Sequence, residues 1–383
     1  MRMLSIPATL LLLTATAASG QSLDLGAAGT GISIGNSRVW TGLRINWRDV
    51  GVQRVNGINV TLWSPGENGE FRMNGVALGV VGPGVGTLNG VGLGVGGVSA
   101  EHAIRGLAIG GLGVVSQGSI GGATLAGLGV VSQGDMVGVG VAGLGIVSEG
   151  SLTGIAASGL GVVTEGGITG LSVAGLGVVS QGGMRGLSLA GLGVVAEGAL
   201  MGIHVAGLGL VSQGGMTGLQ FAGLGAVAEG AMRGLNAGGL AVVAQGGMTG
   251  LNVGGVALVG GSVSGLNAGG LAIVGDAAIE GISLSAGAVE SGSAIRGVTV
   301  GGYRVRAPNV TGLSAGIAMM RTRELHGLSI AAYNEVRGLQ TGVTIGIYNT
   351  ADVLHGVQIG LLNRAKNNPP PFRWLPLLNV HFD

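Results

Sequence analysis

A glycine returns every fifteen or sixteen residues along almost the whole chain, and no other feature restricts the fold as much. The unit is clearest at residues 170–186, GLSVAGLGVVSQGGMRG, with near copies sixteen residues to either side. We call the residue after the recurring glycine the phase position. In the centre it falls at Val139, Ile155, Leu171, Leu187, Ile203, Leu219, Leu235 and Leu251, each sixteen from the last. Upstream the phase continues through Ala123, Leu107, Val91, Val76 and Ile58 to Leu43. Downstream it continues through Leu266, Ile282, Val298, Leu313, Leu328 and Val343 to Val357. That makes 21 copies, each with glycine before the phase position, from Gly42 to Gly356. Self-similarity at a fixed period over a whole chain marks a repeat architecture.

Each slot of the unit has a character. The phase residue and the residue two places on are apolar, as in Leu171 and Val173 or Val298 and Val300. The residue between is small or polar: Ser172, His204, Asn236, Thr299, Gln358. Alternation of this kind is a strand with one face buried. The expectation is that the apolar pair faces inward and the polar residue outward. A small pair follows (Ala174, Gly175), then a second strand (Leu176 to Val179), a turn such as Ser180-Gln181-Gly182-Gly183, and an apolar residue such as Met184 or Ile168. Such a unit cannot bury its apolar residues alone, but it can when stacked on its neighbours. The predicted fold is all-β: a narrow parallel β-solenoid, a two-sheeted β-roll of about 21 coils, with a period of 14–18 residues and mostly 16.

Composition removes several alternatives. Glycine supplies 86 of 383 residues, but without a collagen triplet and with 46% apolar residues, so neither collagen nor disorder fits. Charged residues are 9% and the net charge is +1. No basic stripe exists for nucleic acid. Residues 1–20 read as a secretory signal peptide: Arg2, an apolar run from Ile6 to Leu13, then Ala18-Ser19-Gly20. A membrane anchor is the alternative, although the run is shorter than the ~20 residues a spanning helix needs. With no cysteine, an exported chain draws its stability from stacking rather than disulfides. Residues 21–75 form a lead-in and capping coils carrying Trp47 and Trp63, which the sequence places over the open core. Residues 76–365 are the array, and 366–383, with three consecutive prolines, a cap or tail.

Candidate sites resolve to structural readings. Gln117, Gln133, Glu149, Glu165, Gln181, Glu197, Gln213, Glu229 and Gln245 form a column at one turn. Stacked carboxylates can collect Ca²⁺, but glutamine separates most of the charges, and a hydrogen-bonded ladder at an exposed corner explains them. His326 and His355 share a slot two turns apart, roughly 10 Å at strand spacing, too far to share a metal. The GLG and GG runs lack the strand-to-helix junction of a phosphate loop, so no nucleotide is expected. No acidic pair marks a β-helical carbohydrate-active enzyme. No residue is assigned as catalytic, cofactor-binding or metal-binding. One column resists alternation: Val115, Val131, Val147, Val163, Val179 and Val195 sit beside the inward Val114, Val130 and Val162. Either the strand bends to bury both, or an apolar stripe is exposed, which marks a partner or membrane surface.

The ending LPLLNVHF is similar to the terminal strand of outer-membrane barrels, which keeps a membrane-embedded β-barrel-like protein as the alternative. In the C-terminal coils, VTIGIYNTA (343–351) and HGVQIGLLNRA (355–365) resemble bacterial surface repeat proteins with G-[LV]-Q-I-G-[LI]-x-N units. The resemblance is clearest over 312–383. It implies an exported, envelope-associated protein of Gram-negative-type bacteria and transfers no site residues. The functional expectation is a non-catalytic cell-surface spacer, scaffold or adhesion module. Its partners would be an envelope protein, a glycan or a membrane surface, with neither nucleic acid nor nucleotide among them.

Overall fold

The structure, a computed structural model, describes residues 22–66 and 68–382. The proposed signal peptide therefore lies outside the described residues. Among these residues there is no helix. The chain is a parallel β-solenoid of about 19 turns with a period near 16, close to the 21 coils that the glycine phase marks. Its residues fall into two compact units, divided in sequence between residues 166 and 167.

In the first unit, Ser22–Ala27 pairs antiparallel with Thr30–Gly35. Every later pairing is parallel: Thr30–Gly35 with Val39–Asn46, then Arg54–Thr61, Arg72–Gly79, Gly84–Gly94 and Gly97–Gly110. From there each turn contributes a longer and a shorter strand. Ser119–Ala126 stacks on Met136–Ala142, and Gly113–Ser116 on Gly129–Ser132, so that two separate ladders rise together. The second unit repeats this. Ile168–Ala174 pairs with Met184–Ala190 and Gly177–Ser180 with Gly193–Ala196, like residue over like residue. Three final turns run through Glu324–Ala365 without a break. The proline-containing end is a strand: Trp374–His381 lies antiparallel on the last turn, bulged near Pro376.

The recurring glycine has a physical reason. All 21 copies have φ between +97° and +145°, a region L side chains rarely enter. The stacking forbids a side chain as well. A Cβ at Gly218 would overlap the carbonyl oxygen of Gly202, and one at Gly327 that of Gly312. The glycines form a spine in which backbone touches backbone, turn upon turn.

The interior reverses the expected facing of the first strand. The polar residue between the two apolar ones points inward. Ser172, Ser188, His204, Gln220, Asn236, Asn252 and Asn267 are all buried, while the phase residues Ile203, Leu219 and Leu251 are about 40% exposed. The reason is room. In the free slot at Gly140, a Cβ would lie 2.7 Å from Met136 Cε and 3.4 Å from Ile146 Cδ1. Met136 and Ile146 already fill the core with their equivalents, such as Met184, Leu200, Val178 and Val194, all fully buried. The third inward slot therefore takes mostly small or amide side chains, with the imidazole of His204 an exception, and the asparagines are linked along the stack. Asn236 donates to Asn252 (2.9 Å) and Asn252 to Asn267 (2.9 Å). In the last turns the inward column of the other ladder, which runs through Val289, Val305 and Met320, turns to amide: Asn334 stacks on Met320 and donates to Asn349 (2.8 Å), and Asn349 donates to Asn363 (2.7 Å).

The same slot in the first unit holds a charge. Arg44 is fully buried against Asp49 (2.5 Å) and Asn59 (2.6 Å), and Asp49 also accepts from Asn59 and Thr61. Asn68 donates to the Asp49 carbonyl and so joins this cluster. Trp47 and Trp63 do not cover the core. They stack on each other outside it, centroids 5.9 Å apart, and Trp40 is the buried one. The end is closed by the antiparallel Ser22–Ala27 instead.

Candidate functional site

With the polar residues inside, the apolar ones line the outside. In the second unit the phase residues (Ile203, Leu219) and those two places on (Phe221, Val253) are outward and exposed. So are the leucines of the turn (Leu192, Leu208, Leu224), and so is the second valine of each pair (Val195, Val211, Val227). The first valine of each pair points into the core. The unresolved Val column of the sequence is therefore an exposed stripe. Leu187 and Leu189 belong to one ladder, Val195 to the other, and Leu192 to the turn between them. The apolar surface thus wraps the corner that joins two sheets. The opposite corner is polar, with Glu197, Gln213 and Glu229 exposed in one slot and Arg185, Thr217 and Arg233 in another. The first unit carries the same exposed columns in Leu128, Val131, Val139, Leu144 and Val147.

The Gln/Glu column is exposed throughout. No hydrogen bond joins its side chains among the described residues, so it is a solvated corner rather than a bonded ladder. No cluster of three or more His, Asp or Glu side chains that could hold a metal ion occurs among the described residues. His326 and His355 are exposed at the corner the sequence assigns them. His204 is different: fully buried in the inner column, with no hydrogen bond of normal geometry on either ring nitrogen. Burial lowers its pKa from 6.5, and the Met201 backbone opposes this weakly.

Sequence reasoning missed the second notable surface, where the exposed Val column changes chemistry. In ladder register Val259 stacks on Val274, Val274 on Glu290, Glu290 on Arg306, Arg306 on Arg321, and Arg321 on Glu335. Four charged side chains thus replace valines in one column. Glu290, Arg306 and Arg321 line a groove of about 530 Å³ together with Asp276, Arg323 and Arg337. Glu290 pairs with Arg304. Glu335 is shared, accepting from Arg321 Nε at 2.6 Å and from Arg337 Nε at 2.8 Å. Burial pushes the Glu335 carboxyl up, but hydrogen bonds and charge from Arg337 and Arg321 outweigh it and hold the carboxyl below its ordinary value. Arg306 and Arg323 form no ion pair among the described residues. The arginines from 296 to 337 stand out in the sequence, but their gathering depends on register, which fifteen- and sixteen-residue steps together decide. Compared with models of protein families, with curated proteins and with solved structures, the chain shows no match.

Proposed function

We propose that the chain is a non-catalytic, exported repeat protein of the cell surface, acting as a structural spacer or scaffold or as an adhesion and interaction module. The observation that carries this is the set of outward apolar columns on an unbroken ladder. Such a surface is extended and repetitive, suited to contact along many turns rather than at one point. In the second unit the phase residues Leu171 to Leu266 span seven turns. At about 4.8 Å per turn, with an outer contour of nine residues at about 3.3 Å each, they outline roughly 1,000 Å². The largest apolar patch on a typical monomer is about 300–600 Å². A surface of this size supports a standing partner: an envelope protein, a glycan-bearing surface or a membrane. The signal-like residues 1–20 and the resemblance of 312–383 to bacterial surface repeat proteins support export and envelope association.

A second reading, a membrane-embedded β-protein, draws on the same observation, because apolar-out and polar-in is how a lipid-facing β-structure is arranged. Its form would be a solenoid, since successive turns pair in parallel, whereas outer-membrane barrels are antiparallel. Extraction decides between the two. The chain is expressed with its leader, and membranes are washed with high salt and then carbonate. Release by either wash, with a soluble β-rich product made from 22–383 without detergent, supports the surface module. Retention through carbonate, with the chain recovered only in detergent, makes the embedded form the better reading. A chain that stays in the cell interior overturns both.

A further inference from the structure

We propose that the groove at 274–337 binds a phosphate group. The groove holds more positive charge than its own carboxylates neutralise. Arg306, Arg321, Arg323 and Arg337 line it with only Asp276 and Glu290, while Arg304 and Glu335 are ion-paired to lining residues. The carboxylates are largely engaged: Glu290 with Arg304, and Glu335 with both Arg321 and Arg337. Arg306 and Arg321 are direct neighbours in the parallel ladder, a like-charged cross-strand pair that is unfavourable unless something sits between them.

The geometry of the pairs indicates what that something is. Arg321 and Arg337 each reach Glu335 through Nε. No hydrogen bond among the described residues uses their Nη groups. Glu335 thereby fixes two guanidinium planes while their outer donors stay available. Arg306 and Arg323 add two more guanidinium groups without a carboxylate. Arginine donors in a rigid fork match the oxygens of phosphate, and each charge-assisted bond is stronger than a neutral one. The floor supports this arrangement: Thr322 Oγ1 donates to the Pro308 carbonyl (2.9 Å), and the Arg323 and Glu324 amides donate to the same oxygen. This fixes the turn that presents Arg323.

The phosphate has two candidate sources, a soluble phosphate or the headgroup of an anionic lipid. The column that ends in these arginines is the Val column of the array, so hydrocarbon contact and phosphate contact would lie along one face. The proposal itself needs only the groove. The test uses the full chain. Inorganic phosphate is titrated calorimetrically, and vesicles of phosphatidylcholine with and without phosphatidic acid are assayed by flotation. The variant is R306Q/R323Q, which breaks no ion pair. The expected result is saturable binding of at least one probe, weakened at least tenfold in the variant while its melting transition is unchanged. Binding of phosphate without vesicle enrichment assigns a soluble ligand, and selective enrichment on phosphatidic acid assigns a headgroup. Binding of neither probe, or equal binding by parent and variant, overturns the proposal. Should the double variant lose its transition, R323Q alone, at an exposed position, takes its place with the same criteria.

Discussion

Residues 168–275 and 278–365 of the second unit share one scaffold and differ in what they display. Both keep the glycine spine, the two ladders and a buried polar slot. Outside, the first stretch shows valine where the second shows Glu290, Arg306, Arg321 and Glu335. Inside, the contrast runs the other way. The later turns fill the second ladder's inward column, which holds Val178 and Val194 in the array, with an amide chain: Asn334, Asn349 and Asn363 are linked to one another and to backbone carbonyls. The array's polar column lies in the first ladder instead, and it is interrupted. Ser172 meets Ser188 (2.9 Å), but His204 finds no partner of normal geometry and Gln220 Oε1 has none, before Asn236 resumes the chain. The backbone decides the fold, and the inward and outward columns vary independently of each other on top of it.

The strongest way to break the comparison is at the spine. Gly218→Ala in the array and Gly327→Ala in the later turns each place a Cβ against a carbonyl oxygen at positive φ. Each is expected to cost roughly 3–5 kcal/mol, read by denaturant unfolding. If either region tolerates the change, the two do not share a scaffold. The inner columns should separate the regions. Asn349→Ala strands both Asn334 and Asn363 and should cost about 2–3 kcal/mol. Ser188→Ala removes a hydroxyl that accepts from Ser172 and donates weakly to Met184 Sδ, and should cost at most ~1 kcal/mol. Equal shifts in melting temperature would contradict the contrast drawn here.

A pH titration sharpens it further. The imidazole of His204 has a pKa below 6.5 when folded, because of burial. As pH falls below that ordinary value, the unfolded state takes up the proton first. Stability is therefore full above it and declines beneath it. His204→Asn should remove this decline from the array and leave that of the later turns as it was. The smallest effects belong to the outward slots. Val211→Glu and Arg306→Val should each change stability by no more than ~0.5 kcal/mol. Val211→Glu should nonetheless reduce the fraction of chain that partitions into detergent, and Arg306→Val should not.

The repeat, the parallel stacking and the role of glycine are legible in the sequence because the phase is written 21 times. The facing of the first strand is not. Apolar–polar–apolar fits either orientation, and hydropathy alone favours the apolar pair as the inward one. The better clue is size. Most slots of this kind hold small residues such as Ser188 and Thr299, as suits a narrow interior already holding Met184 and Val194, with His204 and Gln220 among the exceptions. The second strand reads correctly for Val114, Val130 and Val162, all fully buried. Trp47 and Trp63 mislead because bulk suggests a lid, while their stacking needs only each other. The arginine groove stays hidden because Arg306, Arg321 and Arg323 become neighbours only once the shorter steps set the register.

The two antiparallel strands have a consequence beyond closing a core. A stack of identical turns is a one-dimensional crystal, and nothing in its repeating part says where growth should stop. Ser22–Ala27 and Trp374–His381 run against the direction of every other strand, and Pro376 removes a donor from the last of them. An incoming parallel turn finds the wrong polarity and a missing hydrogen at the terminus. Neither strand thus offers the edge on which the parallel stacking of the other turns is built.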